Sequence, residues 1–362
     1  MLEKKKKQKR KHVLVIGSYD ESYPRNEVLL KALESCYKLK QYTFLKQKLS
    51  HISFAKTLIR NFFWMDAVLV MWPARTFWFV LVLLRIFYRK KIIVDAFNSD
   101  YETTIIDRQL TGKSTIKAWY LFSVETILFR IADILFFDTV EHRDYMTTAF
   151  HLPEKVKKIV LPVSVDVGEF EIITKQVDVE SSREKIHRIV FAGYFIPVQG
   201  IEYIVQAAHI LRERKDIQFT VIGAGQMSKE IYSLAEKLNI KNIVFIPRIS
   251  YKELKKHYVK ADVILGIFGI SDKADRVIPN KVIEGMASGK TVITGENTSM
   301  RQMFSDKEDI LFCKRGNAED LARVIEYAVG TALCEEIGKD ARKKIEEQFS
   351  LVFLKQKICA II

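Results

Sequence analysis

A chain of 362 residues is long for one doubly wound domain and comfortable for two, and its 48% hydrophobic content excludes a disordered or low-complexity protein. Lys and Arg number 58 against 44 Asp and Glu, leaving a formal charge of +14 that points to polyanionic company: nucleic acid, an anionic membrane face or phosphorylated small molecules. No nucleic-acid-binding motif accompanies that charge, so nucleic acid is not an expected partner.

The chain opens on a basic tail, Lys4 to Lys7 with Lys9, Arg10 and Lys11. Such a tail is either a solvated terminus or a contact for polyanions, and no apolar stretch of signal-peptide type follows it. Short β-branched runs predict strands at 12–16, 42–45, 67–71, 92–95, 134–137 and 158–161. Helical patterns lie between them; Leu29, Leu30, Leu33 and Cys36 share one face of a helix over 27–39. Residues 67–88 are very apolar, but Pro73 and Arg75 interrupt them, and 77–84 falls far short of the roughly 20 residues that span a bilayer. A strand, a turn and a helix fit better, the helix ending in Arg85, Arg89, Lys90 and Lys91. Two compatible roles stay open for that helix: packing on the sheet, and dipping an aromatic face into a membrane interface with the basic cluster on anionic headgroups.

The polar stretch 173–185 lacks periodicity and reads as the boundary between halves. A second strand series follows at 188–192, 218–222, 243–246, 263–267, 291–294 and 310–313, with helices at 201–214, 229–238, 251–258 and 318–329. Strands alternating with helices mean βαβ units and parallel sheets. Two sheets of about six strands are more natural than one of twelve, so the fold class is α/β, with two Rossmann-like doubly wound domains facing across a cleft. The expected division is an N-terminal domain of residues 1–171, its basic tail being 1–11, and a C-terminal domain of 172–344. Cys36, Cys313, Cys334 and Cys359 lie far apart with no CxxC pair, so neither a zinc site nor a disulfide framework is expected, and a reducing compartment is.

Ligands of open α/β sheets sit beyond the carboxyl ends of the strands. In the first half, Gly17 ends the first strand, with Asp20 and Arg25 following; it is a turn residue as readily as a ligand contact. Asp95, Asp100, Asp107 and Arg108 follow the fourth strand. With Gly17, Asp20 and Arg25 they are the candidate acceptor-side residues, although aspartates at strand ends often merely cap helices. In the second half Gly193, Gly200, Gly223, Gly225, Phe268 and Gly269 stand in successive strand-end loops and would line one edge. The segment from Arg276 to Thr294 is the most informative. Pro279 suits a helix start, and Asn280, Lys281 and Glu284 occupy the first turns. An ammonium beside exposed amides at a helix N-terminus makes a diphosphate site, and a carboxylate one turn on can accept the two ribose hydroxyls of a nucleotide. The plain alternative is an i,i+3 surface ion pair between Lys281 and Glu284.

The stretches FAGYFIPVQGIEYIVQAA, FTVIGAGQM, ADVILGIFG and above all IPNKVIEGMASGKTVIT resemble glycosyltransferase family 4, of the GT-B fold, over nearly the whole chain. The resemblance implies a retaining glycosyltransferase of hexosyltransferase type without a bound metal or cofactor, its co-substrate a nucleoside-diphosphate sugar. It implies that Glu284 is the second glutamate of the E-x7-E pattern, on the donor ribose, that Gly193 opens the phosphate loop, and that a C-terminal helix over 345–362 packs back on the first domain. Arg276 stands where the pattern has its first glutamate, Tyr194 and Gln199 replace the phosphate-loop Arg and Lys, and Phe97 replaces a histidine after the fourth strand.

The expected catalytic residues are therefore Lys281, Arg276 and Glu284, with Arg276 and Lys281 sharing the diphosphate charge. Expected partners are a nucleotide sugar, a glycan or lipid-linked acceptor in cell-surface polysaccharide or glycolipid synthesis, and an anionic membrane touched peripherally from the cytoplasmic side. The rival reading is a catalytically silent subunit that keeps the fold and binds an enzyme or lipid.

Overall fold

The computed structural model describes residues 10–43, 51–73, 78–87, 90–176, 186–331 and 333–361. Most of the basic tail, Arg75, Phe77 and Arg89 of the apolar-basic stretch, and 177–185 of the polar boundary stretch lie outside the described residues.

The first body alternates strands and helices: β1 (His12–Gly17), α1 (Pro24–Cys36), β2 (Lys38–Thr43), α2 (His51–Asn61), β3 (Ala67–Val70), α3 (Trp78–Phe87), β4 (Lys91–Asp95), a π-turn (Glu102–Asp107), α4 (Ile116–Ile131), β5 (Ile134–Phe137), α5 (Val140–Ala149) and β6 (Lys157–Val160). The second runs α6 (Val167–Gln176), β7 (His187–Ala192), α7 (Ile201–Ile210), β8 (Ile217–Ile222), α8 (Ser228–Lys237), β9 (Ile243–Ile246), α9 (Tyr251–Lys260), β10 (Val263–Leu265), α10 (Asn280–Ala287), β11 (Thr291–Gly295), α11 (Thr298–Met303), β12 (Leu311–Cys313), α12 (Ala318–Gly330) and α13 (Leu333–Gln348), followed by α14 (Leu351–Ile358). All strands pair in parallel, in two six-stranded sheets ordered β2-β1-β3-β4-β5-β6 and β12-β11-β10-β7-β8-β9. The expected two-sheet α/β class is the observed one.

Both faces of each sheet are covered. In the first sheet Leu14, Ile16, Val68 and Val70 meet α2, α3 and α4, while Val13, Val15, Ala67 and Leu69 meet α1 and α14. This two-sided burial is why the strands read as unbroken apolar runs. β2 differs. It begins at Lys38, earlier than expected, because Tyr37 closes α1 on Leu33 and Lys38 then pairs directly with His12. As an edge strand it alternates, and the weak apolar pattern of KLKQYT hid its start.

Two further differences concern the ends of the bodies. The boundary expected at 171/172 falls inside α6, whose Phe170 and Ile173 join the core of the second sheet, so the chain crosses ahead of α6. It crosses back after α13, and the two crossings pair: Val165 N donates to Phe349 O (2.9 Å) and Leu351 N to Val165 O (2.8 Å). Ser350 then caps α14 through Phe353 N, and Tyr37 of α1 donates to Ile358 O at 2.9 Å. The expectation of no disulfide is corrected. Cys36 at the end of α1 is bonded to Cys359 just beyond α14, a partner 323 residues away that spacing alone could not reveal.

Candidate functional site

Each sheet reverses its strand order at one point, between β1 and β3 in the first and between β7 and β10 in the second. Such a switch leaves a crevice at the strand ends because neighbouring connections depart to opposite faces. In the second body the crevice is bounded by Gly193–Gly200 after β7 and by 266–269 after β10. Gly200 sits at φ +65°, and a side chain there would run into the Phe268–Gly269 backbone, so the two loops can meet only at glycine. Gly223 and Gly225, after β8, lie against the Gly193–Phe195 backbone on the outer side.

α10 enters this crevice. Pro279 is its N-cap rather than its first helical residue, and Val282, Ile283, Met286 and Ala287 bury the helix against the sheet. That packing turns Lys281 inward. Its Nζ lies 3.7 Å from the centroid of the Phe191 ring and donates to Gln199 Oε1. A Cβ on Gly193 would stand 2.7 Å from that ammonium nitrogen, so glycine is what leaves it room. Burial holds the Lys281 pKa well below its ordinary value against the opposing pull of Glu284. Glu284, 4% exposed, accepts from Tyr251 Oη at 3.0 Å, and burial pushes its pKa up to about 7 despite that bond and the nearby lysines. No ion pair joins Lys281 to Glu284, so the surface-pair alternative is not what forms.

The start of α10 also touches the first body: Asn280 Nδ2 donates to Tyr23 Oη at 2.8 Å. Around it the bodies meet through polar contacts, most of them part-buried. Arg276 Nη2 bonds Glu102 Oε1 at 2.6 Å, Lys273 reaches Asn98 and Thr103, Ser271 donates to Asp107 at 3.0 Å, and Gln226 donates to the Arg108 carbonyl at 3.2 Å. The Arg276 guanidinium is held by Glu102, on the π-turn after β4, and by the face of Tyr145.

The acceptor-side candidates divide. Arg25 and Asp95 are both buried and bonded to each other at 2.9 Å, so they fasten α1 to β4. Gly17 lies against Met71, and Asp20 accepts from Ser22 in a local turn. The Asp100 amide donates to Glu125. Asp107 and Arg108 line the junction of the bodies, and burial raises the Asp107 pKa against the pull of Lys273. Sequence reasoning missed Tyr23, Glu102, Asp138, His142 and Tyr251. The one signal for the dyad is Asp138 directly after β5 with His142 one turn on, a D-x-x-x-H spacing at a strand end.

Several buried polar atoms at this junction have no hydrogen-bond partner: Glu102 Oε2, His142 Nε2, Arg276 Nε, Arg108 Nε and Asn280 Oδ1. Buried polar groups are ordinarily paired, by protein, water or ligand, and these atoms have no protein partner among the described residues. A groove of about 750 Å³, lined by Arg188, Lys252, Lys256 and Lys260, shares no residue with these loops. Among the described residues no helix is long and apolar enough to cross a membrane.

The family model described as glycosyl transferases group 1 matches residues 173–344. A glycosyltransferase of Methanocaldococcus jannaschii is 22% identical over 216 residues, 58% of this chain and 54% of its own. The amylovoran biosynthesis glycosyltransferase AmsK of Erwinia amylovora is 22% identical over 177 residues, 46% of this chain and 43% of its own. The chain thus spans about half the length of the curated relatives it matches. The structure of Anabaena HepE in complex with UDP, 12% identical, superposes with a TM-score of 0.69 over 96% of this chain and 98% of that one, which establishes the shared two-domain fold. The crevice at the β7/β10 switch, with α10 running into it, therefore lies within residues 173–344, the part of this chain that is similar to glycosyl transferases group 1.

Proposed function

We propose that this protein is a glycosyltransferase of the family 4 type, moving a sugar with retention from a nucleoside-diphosphate sugar to an acceptor hydroxyl. The anomeric carbon–phosphate oxygen bond breaks, a bond to the acceptor oxygen forms, and the acceptor proton leaves with the diphosphate. The acceptor class is a glycan or lipid-linked glycan of cell-surface polysaccharide or glycolipid synthesis. AmsK, named for amylovoran biosynthesis, supports that class, and HepE, whose structure holds UDP, supports a nucleotide donor.

The observation that carries the reading is the Lys281 ammonium. It is buried at the start of α10, bounded by Gly193, Gln199 and the Phe191 ring, one turn ahead of Glu284. An isolated buried ammonium is costly, and an incoming diphosphate offsets that cost. The task is stabilisation of the departing diphosphate by fixed positive charge, without a bound metal. Lys281→Ala should lower turnover by about 10²–10³. Unchanged turnover in that variant would remove the reading.

The same reading includes a peripheral contact with anionic membrane through the first body. Phe79, Ile86, Ile116 and Trp119 on α3 and α4 are exposed, which supports it. Of the basic cluster, Arg85 is bound to Asp133 at 2.9 Å and Lys90 to the Met65 carbonyl, so Lys91 and Lys117 are the better headgroup partners. Sedimentation with anionic liposomes at low salt checks this, and loss of binding in Trp119→Ser with Ile116→Ser is expected.

A further inference from the structure

Asp138 leaves the end of β5, and Thr139 caps α5 through the amide of His142. The imidazole is thereby fixed. Its Nδ1 lies 2.7 Å from Asp138 Oδ1, and its ring stands edge-on to Phe137. Burial alone would raise the Asp138 pKa, but His142 and Arg25 bring it below the usual carboxylate range. Asp138 is then a carboxylate that accepts from Nδ1–H, and Nε2 is left to face outward.

What Nε2 faces is Glu102 Oε2, at 3.9 Å. The side chains are 3% and 1% exposed, and neither atom has a hydrogen-bond partner. The separation is too long for a direct hydrogen bond, whose heavy atoms lie about 2.7–3.2 Å apart. One oxygen about 2.8 Å from each would satisfy both. The pair also borders the cleft, since Glu102 Oε1 holds Arg276, and Thr139 Oγ1 donates to the Arg276 carbonyl at 2.6 Å.

We propose that Glu102 Oε2 and His142 Nε2 form a subsite for one sugar hydroxyl, with Asp138 as the residue that positions the imidazole. A hydroxyl both accepts and donates, so between the imidazolium form of His142, in which both ring nitrogens donate, and the carboxylate it can take a hydrogen bond from Nε2–H while giving one to Glu102 Oε2. The hydroxyl belongs either to the sugar of the donor or to the acceptor. The subsite rests on the transferase reading but adds to it a recognition element built wholly from the N-terminal domain, at positions that neither the E-x7-E pattern nor the glycine loops mark.

The test compares wild type with Glu102→Gln, His142→Ala and His142→Gln for affinity toward UDP, GDP, UDP-glucose, UDP-N-acetylglucosamine and GDP-mannose, and for slow hydrolysis of the sugar nucleotides. In each variant, UDP or GDP affinity should stay within about twofold while a contact to the sugar is lost, at about tenfold or more. If the donor supplies the hydroxyl, sugar-nucleotide affinity falls. If the acceptor does, both affinities hold and hydrolysis, with water as acceptor, slows. Asp138→Asn should change the His142 ring-nitrogen tautomer signature in 15N NMR and weaken the same step, which a purely structural role would not do. Should all three variants keep the affinities and the hydrolysis rate, the gap holds only a resident water and the proposal fails. Should wild type bind no nucleotide, the transferase reading fails by itself. The His142 ring resonances are then titrated with glucose, mannose and N-acetylglucosamine, and no response to any of them overturns the subsite as well.

Discussion

Glu102 and Arg276 come from opposite domains and meet at 2.6 Å, the carboxylate 1% exposed and the guanidinium 3.8 Å from the centroid of Tyr145. A charge pair so placed helps fix how the two bodies face each other, because losing Arg276 takes from the buried Glu102 its one charge partner at hydrogen-bond distance among the described residues and leaves only Lys273 and His142, about 4 Å away. Arg276→Glu sets two carboxylates against each other and should lower the melting temperature. Adding Glu102→Arg restores opposite charges and recovers part of the loss, with a coupling of about 0.5–3 kcal/mol in the double-mutant cycle. Simple additivity of the two substitutions would show that the pair holds nothing.

Glu284 gives a pH dependence with a definite sign. Burial lifts its folded pKa from 4.5 to about 7, so the folded state binds the proton more tightly than the unfolded chain does. Its contribution to stability is fully present below pH 4.5 and is lost as pH rises through about 7. Nucleotide binding runs the other way, since ribose hydroxyls need an ionised acceptor. UDP affinity measured by calorimetry should therefore rise through pH 7 in wild type and flatten in Glu284→Gln.

Lys281 makes a separate prediction about protons. Its depressed pKa means that the empty crevice makes it give up its proton more readily than a free lysine does, and a diphosphate opposes that shift. Binding should take up protons. Calorimetry in buffers of different ionisation enthalpy, run in the Glu284→Gln background to remove the opposing release from that carboxyl, should detect the uptake. Lys281→Met should abolish it.

Gly193 should tolerate no side chain. A Cβ would stand 2.7 Å from Lys281 Nζ and 3.3 Å from the Phe191 ring, displacing the ammonium from its place. Gly193→Ala should cost nucleotide affinity with little loss of melting temperature, whereas a large stability loss with intact affinity would show the glycine to be a folding residue only.

The Cys36–Cys359 bond closes nearly the whole chain. Cys36→Ser should destabilise by about 2–4 kcal/mol, read as a melting shift that reductant reproduces in wild type. Equal melting with and without reductant would count against the bond's presence in solution.

Much of the fold was readable in sequence because parallel strands buried on both faces leave apolar runs such as VLVIG and IVFA at regular intervals. The donor-side loops were readable for a related reason: glycines at strand ends are local necessities, as Gly200 against Phe268 illustrates. What escaped is long-range. Glu102 reaches Arg276 across 174 residues and Cys36 reaches Cys359 across 323, and nothing in either neighbourhood announces its partner. Asp138 and His142 are close in sequence, yet their interest comes from Glu102 standing opposite. The start of β2 was missed because an edge strand needs only half an apolar face.

The paired crossings at Val165 and Phe349–Leu351 decide how the halves can move. A single tether would let one lobe tumble about the other. Two tethers hydrogen-bonded side by side behave as a leaf spring, compliant in flexure and stiff in torsion and shear. Any opening would then be a swing along one arc, in which Tyr23 would part from Asn280 and Glu102 from Arg276, and a return would bring the same side chains back into register.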